Sequence, residues 1–302
     1  MPELPDILLY QQALERNIVG KKLDRLAIRS PFVLRTFEID AESLSGRSIA
    51  SVSRLGKRIV VEFEGDLFVV IHLMIAGRFH WKTKLVMPTG KNDLAAFRFD
   101  HGTLMFTEAS TKKRAGLWIV SGHDAVRALH TPGINVLEAS YDEFDKALLL
   151  SNNTLKRALS DPHRFDGIGN AYSDEILHAA KLSPFRLTQQ TDSEERGRLW
   201  LACRSTLQNW IDRLSAELGL RFPEKVTAFR PEMAVHGKFG SLCPTCQAPV
   251  QRIRYAENEC NYCPGCQTNG RILADRSMSR LLGKDWPRTL EELEEGFGGK
   301  SI

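Results

Sequence analysis

Five of the six cysteines crowd into one short run, CPTCQAPVQRIRYAENECNYCPGC, and this run limits the fold more than any other stretch. In a reducing compartment such clustering points to a metal rather than to disulfides. Cys243–Cys246 and Cys263–Cys266 share the form Cys-Pro-x-Cys, with sixteen residues between the pairs. Each pair sets two thiolates on one tight turn. The intervening segment is long enough for a β-hairpin that brings the turns together around tetrahedral zinc. Cys260 offers a rival register three residues before Cys263, but only the 263–266 pairing gives both turns the same form. Four thiolates leave no open coordination position, so one Zn2+ ion here is structural and not catalytic. Cys203 stands alone in a helical pattern and reads as a small buried hydrophobe.

A length of 302 residues favours two domains over one, and 42% hydrophobic residues suffice for real cores. The net charge of +4 suits a polyanionic partner without requiring one. No run of 18 apolar residues is present, so no membrane span is expected. The N-terminus opens with acids instead of the charged-then-apolar order of a signal peptide. A cytoplasmic location is the expectation.

Residues 20–122 read as strands. RIVVEFEGDLFVVIHL has two β-branched runs around Gly65-Asp66, and AAFRFDHGTLMFTE repeats the pattern around Asp100-His101-Gly102. This half is expected to be an antiparallel sandwich. An amphipathic helix precedes it, with Ile7, Tyr10, Leu14 and Ile18 on one face and Gly20 as its stop. Residues 123–138, with Pro132-Gly133, look like a connector. From about 141 to 218 the period turns helical, and 219–242 is loop-rich.

Two motifs stand out beside the cysteines. Met1-Pro2-Glu3 places a proline and an acid where chains usually fray; read alone, Pro2 simply enters a helix. FDGIGNAYSDEIL sets Gly167 and Gly169 before a helix starting at Asn170. This is either an ordinary helical corner with Ile168 buried or a helix N-terminus offering N–H groups to an anion.

Taken in order, PELP at 2–5, RLGK ending at Lys57, HL at 72–73 with Gly77, LKRAL at 155–159, GIGNAYSDEIL at 167–177, VHGKFG and the four-cysteine hairpin form a specific set. Over residues 2–268 the chain resembles the formamidopyrimidine-DNA glycosylase / endonuclease VIII family of base-excision repair enzymes. The resemblance implies an α+β multidomain fold. Residues 1–122 form an N-terminal β-sandwich with an N-terminal helix, 123–140 a connector, 141–236 a helix–two-turn–helix DNA-binding domain, 237–270 the zinc hairpin and 271–302 a tail. DNA is expected in the cleft between the halves.

The resemblance also implies the chemistry. Met1 is removed, and the secondary amine of Pro2 attacks C1′ of a damaged nucleotide, expelling the base and forming a Schiff base. Elimination then nicks the strand, with Glu3 as the acid/base group. Lys57 contacts phosphate or donates a proton, where the alternative is a solvated lysine guarding a strand edge. His72 either binds phosphate or is a satisfied strand-end histidine. Asn170 meets phosphate with its amide at the helix start. Lys156 is either a DNA contact or part of a solvated helix face. The implied partner is DNA carrying damaged bases or abasic sites, bound by a monomer of bacterial, nucleoid-associated type. A non-catalytic damage-binding relative of the same fold is the alternative.

The departures are informative. The gap left by a flipped base is commonly filled by a methionine after a glycine. Here Met74 takes the glycine position and Ile75 the methionine position. In EASTKKRAGLW, Arg114 is a candidate wedge, while Lys112 and Lys113 suit a phosphate-facing loop equally. An arginine usually sits five residues before the third cysteine. Here it is Asn258, between Glu257 and Glu259, which lacks the charge to hold phosphate. Arg252, Arg254 or Arg271 are the candidate substitutes. The tail, with Arg271, Arg276, Arg280, Lys284 and Arg288 followed by EELEE, is either a short helix packing back or a loose end, with a further contact as the alternative.

Overall fold

The computed structural model describes residues 1–255, 258–274, 276–283 and 286–297. Glu257 and Lys284, singled out in the sequence, lie outside the described residues. The chain forms two compact units: Met1–Pro132 with Gln208–Ala228, and Gly133–Leu207 with Phe229–Ile302. Among the described residues no helix is long and apolar enough to cross a membrane.

The first unit opens with α1 (Leu4–Ile18). Glu3 is its N-cap, and Pro5 takes the first-turn position that tolerates a missing N–H. Pro2 therefore precedes the helix, and helix entry explains Pro5 instead. Ile7, Tyr10, Leu14 and Ile18 are buried along one face, and Gly20 follows at φ 76°.

Eight strands form two antiparallel sheets. One, in spatial order, is β1 (Arg25–Ile28), β6 (Asp93–Phe99), β7 (Gly102–Glu108), β5 (Gly77–Lys82). The other is β2 (Ile49–Leu55), β3 (Arg58–Phe63), β4 (Leu67–His72), β8 (Gly116–Ser121). Their inner faces share one core, with Ile59, Val61, Phe63, Val69 and Ile71 from the second sheet and Phe79, Phe97, Phe99 and Phe106 from the first. Each such side chain contributes about 1.5–3 kcal/mol by burial. The other face of β3 and β4 is covered too: Val60, Phe68 and Val70 pack with Val126 of α2 (His123–Ala128). Burial on both faces explains why these strands read as continuous apolar runs.

Residues 208–228 join this unit, although their sequence neighbours made them part of the helical domain. Phe222 packs on Tyr10 and Trp81, and Val226 enters the sandwich core. Glu224 accepts the Trp81 N–H at 3.1 Å and pairs with His80 at 2.6 Å. The Glu224 contacts alone reach across 143 and 144 residues of chain, which local periodicity cannot register.

The second unit contains α3 (Tyr141–Leu149), α4 (Leu155–Ser160), α5 (Asn170–Ala179) and the start of α6 (Ser193–Leu218). Ser140 and Thr154 cap α3 and α4 through side-chain oxygens. Gly133, at the unit boundary, sits where a Cβ would lie 2.3 Å from the Pro162 carbonyl oxygen, so only glycine fits. The cysteine region folds as an antiparallel hairpin of β9 (Gln251–Tyr255) and β10 (Asn258–Tyr262), followed by α7 (Pro264–Thr268). The tail turns back: Ile272 N–H donates to Arg288 O at 2.8 Å and Leu273 N–H to the Tyr262 hydroxyl at 2.7 Å. It carries α8 (Arg276–Leu282) and α9 (Leu290–Phe297).

Candidate active site and metal centre

In the first unit, Pro2 is buried and Glu3 is only 2% exposed. The Glu3 N–H donates to Asp6 Oδ2 at 3.1 Å, locking the start of α1. The N-terminal amine, here that of Met1, is held below its ordinary pKa. Burial is the main cause; Glu3 and Asp6 oppose it, while the cations Arg78 and Lys57 push the same way as burial. Amine, carboxylates and two cations thus share one neighbourhood.

Lys57 lies in the two-residue turn between β2 and β3. Its partner in the turn, Gly56, takes the left-handed φ of 65°. His72 closes β4 opposite Arg58 and Gly116. Burial, helped by Arg58 and Lys57, brings its ring down to about 4, so it is neutral at pH 7. Its Nδ1 is buried without a hydrogen-bond partner.

Two loops complete this side. The turn after β4 is closed by the Gly77 N–H on Leu73 O at 2.8 Å and presents Ile75, 52% exposed. Met74 holds φ 52° there, so the backbone keeps a shape that glycine adopts freely. Arg114 is exposed on the loop between β7 and β8. Its N–H meets both oxygens of buried Glu108, at 3.1 and 3.0 Å, and Lys113 Nζ bonds the Glu108 carbonyl. Glu108 thus organises the loop from beneath.

In the second unit, Asn170 begins α5 beside Gly167 and Gly169, and its Nδ2 donates to Glu259 O at 2.9 Å. Lys156 departs from both of its sequence readings. It is 4% exposed, and its ammonium reaches Asp174 Oδ1 at 2.5 Å, Ser173 Oγ at 2.8 Å and Asn170 O at 2.5 Å. It is neither a solvated face nor a surface available to DNA; an ammonium with three internal acceptors has its hydrogen bonds satisfied inside the unit. Asp174 also takes the His236 ring at 2.8 Å and the Asn261 N–H at 3.1 Å. Burial works against both charges, yet each keeps the other ionised: Asp174 stays below and Lys156 above the ordinary value. Next along α5, Glu175 accepts the N–H groups of Ala234, Val235 and His236.

One turn further, His178 Nε2 lies 3.2 Å from Cys243 Sγ. The ligand atoms of His178, Cys243, Cys263 and Cys266 all fall within 4.8 Å of one another. Cys246 Sγ is 3.3 Å from Cys263 Sγ, and Cys243 Sγ is 3.8 Å from Cys266 Sγ. The donor set can hold a metal ion. Burial would raise the Cys243 thiol, but the N–H groups of Thr245 and Cys246 and the His178 ring outweigh it and bring it to about 6. Cys260 is not part of this group. It faces Ile253 on the hairpin, and its thiol interacts with Asp174 and Lys156.

Asn258 is exposed at the start of β10. Glu259 is tied to Arg252 at 3.6 Å and to Asn261 at 3.1 Å, and Arg252 stacks 4.4 Å from the Phe239 ring centroid. Arg252 is therefore committed; Arg254 and Arg271 lie at the surface.

Sequence reasoning missed Arg78, His178 and the Asp174–His236 pair. Asp174 and His178 share a helix face at i, i+4, a visible spacing whose partners are not. Arg78 carried no local signal.

Comparisons bear on the same geometry. Residues 1–114 match the formamidopyrimidine-DNA glycosylase N-terminal domain and residues 133–218 its H2TH domain. The chain is 30% identical to formamidopyrimidine-DNA glycosylases of Lactococcus lactis subsp. cremoris, over 88% of this chain and 99% of that one, and of Heliobacterium modesticaldum, over 88% and 100%. Its fold is similar to Lactococcus lactis Fpg bound to abasic-site DNA (TM-score 0.78, 27% identity, 88% of this chain and 99% of that one). It is similar also to the same enzyme with DNA containing an oxidised pyrimidine (TM-score 0.78, 28% identity, 88% and 100%).

Proposed function

We propose, from the premise that the chain belongs to the formamidopyrimidine-DNA glycosylase family, that it is a DNA glycosylase and abasic-site lyase of base-excision repair, with Pro2 as nucleophile. The observation that carries this is the N-terminal amine beside buried Glu3 and the two cations Lys57 and Arg78.

Removal of Met1 frees the secondary amine of Pro2. Its lone pair forms the bond to C1′ as the glycosidic C–N bond breaks and the base departs with a proton. Ring opening gives the iminium, which acidifies C2′–H; loss of that proton expels the 3′ phosphate. In this reading Glu3 exchanges protons with the sugar ring oxygen, and Lys57 meets phosphate or supplies a proton. The target nucleotide must leave the stack for C1′ to be reached, and exposed Ile75 suits filling the gap. Asn170 at the α5 start is the proposed grip on phosphate in the second unit.

The metal in this reading is one structural zinc held by Cys243, Cys246, Cys263 and Cys266. When bound, it cross-links the two turns that frame the hairpin. His178 donates from the side as an outer partner of the Cys243 thiolate. The partner is DNA with damaged bases or abasic sites, bound by one copy of the chain.

The test is borohydride trapping on abasic-site DNA with the natural chain, Pro2→Gly and Glu3→Gln, after intact-mass measurement of Met1 removal. A covalent adduct that requires Pro2 supports the reading. DNA binding without an adduct, or retained Met1, replaces it with damage binding that involves no chemistry.

A further inference from the structure

Arg78 lies one residue beyond the Ile75 turn, on β5. Its guanidinium spans three backbone carbonyls: Nη1 donates to Gly77 O at 2.6 Å and Ile75 O at 3.2 Å, and Nε donates to Val226 O at 2.7 Å. Two of these acceptors shape the exposed turn that carries Ile75. The third belongs to the segment that Phe222 and Val226 anchor in the sandwich core. The acceptors are neutral, so they leave the positive charge intact. That charge is felt at the N-terminal amine. The amine seen here is Met1's, and it stands in for the Pro2 amine one residue on.

We propose that Arg78 is a positioning residue for the N-terminal nucleophile, fixing the Ile75 turn and the Val226 backbone through one clamp and setting a fixed cation beside the amine. The inference rests on the reading of Pro2 as nucleophile. Only an unprotonated amine has the lone pair that attacks C1′. The groups facing the amine are Glu3 and Asp6, which favour its ammonium form, and Lys57 and Arg78, which oppose it. Arg78 is clamped at three points. Arg78 therefore opposes protonation from a constant position, and the same clamp places the gap-filling turn. A lysine could supply the charge but not the planar fork that bridges three carbonyls.

The experiment measures the pH dependence of borohydride trapping on abasic-site DNA for the full-length wild type, R78K and R78Q, with the affinity for the same DNA measured alongside. R78Q should move the acid limb of the trapping rate to higher pH, with a fall of roughly tenfold below that limb. R78K should keep the limb in place and lower the plateau by roughly severalfold, because the fork is lost. A purely structural role would scale the rate equally at every pH. An R78Q limb superimposed on the wild type overturns the proposal, as does an R78K limb displaced as far as that of R78Q. R78M is a second neutral replacement should R78Q fail to fold. A wild type that binds this DNA without forming an adduct refutes the nucleophile reading itself, and this inference with it. An adduct with an unmoved R78Q limb refutes the role of Arg78 alone.

Discussion

The Lys156 ammonium lies 2.5 Å from Asp174 Oδ1, with the two side chains 5% and 0% exposed. The pair sits at the start of α5, because the same ammonium also bonds Asn170 O. Removing one member leaves the other charge buried, which costs more than the pair itself contributes. K156M should destabilise the protein by about 3–5 kcal/mol in urea unfolding, towards the lower end because His236 still contacts Asp174. The double variant K156M/D174N should recover part of that loss. Equal losses in the single and double variants would mean the charge pair is not the source.

His72 gives a pH dependence with a definite sign. Its folded value, about 4, lies below the ordinary 6.5, so the native state holds the neutral ring and the unfolded chain takes up a proton between those values. The stability it contributes is complete above about pH 6.5 and is lost as pH falls towards 4. The ring is partly solvated, so the loss is on the order of 1–2 kcal/mol. H72F should flatten the stability profile between pH 4 and 6.5. An unchanged profile would exclude His72 as its source.

Metal content should be one equivalent per chain, and chelation should lower Tm, because the hairpin turns depend on that cross-link. Loss of an outer hydrogen-bond donor typically weakens metal affinity by about 10–100-fold. H178A should do this in a chelator competition while the cobalt-substituted protein keeps its four-sulfur absorption. A spectrum that changes in H178A but not in C246S would make His178 a ligand in place of Cys246.

Met74 holds a left-handed backbone at φ 52° without being glycine. That conformation costs an L-residue about 1–2 kcal/mol, and a glycine's greater freedom in the unfolded chain returns about 0.4–1 kcal/mol of the gain. Met74→Gly should therefore raise stability by a few tenths to about 1 kcal/mol in thermal unfolding. A loss would show that the Met74 side chain contributes more by packing than the backbone strain costs.

Much of the molecule was legible locally. Apolar, β-branched runs around Gly65-Asp66 and Asp100-His101 became hairpins, and the period of Ile7, Tyr10, Leu14 and Ile18 became α1, since these signals are written in adjacent residues. Lys156 was misread because its pattern on α4 is that of a surface lysine, and Asp174, which draws it inward, lies on another helix. The segment around Phe222 and Val226 packs with the sandwich through partners that lie far back in the chain.

Sequence by itself determined the order of elements, the paired cysteine turns and the Pro2-Glu3 start, because turn chemistry, periodicity and ligand spacing act over a few bonds. Tertiary structure alone decided which cations stand beside the amine, that Arg78 bridges Ile75 and Val226, that His178 reaches Cys243, and that Lys156 is sealed against Asp174. Burial and Coulomb interaction depend on distance through space, and residues that folding brings within 3 Å carry no mark of it in their spacing along the chain.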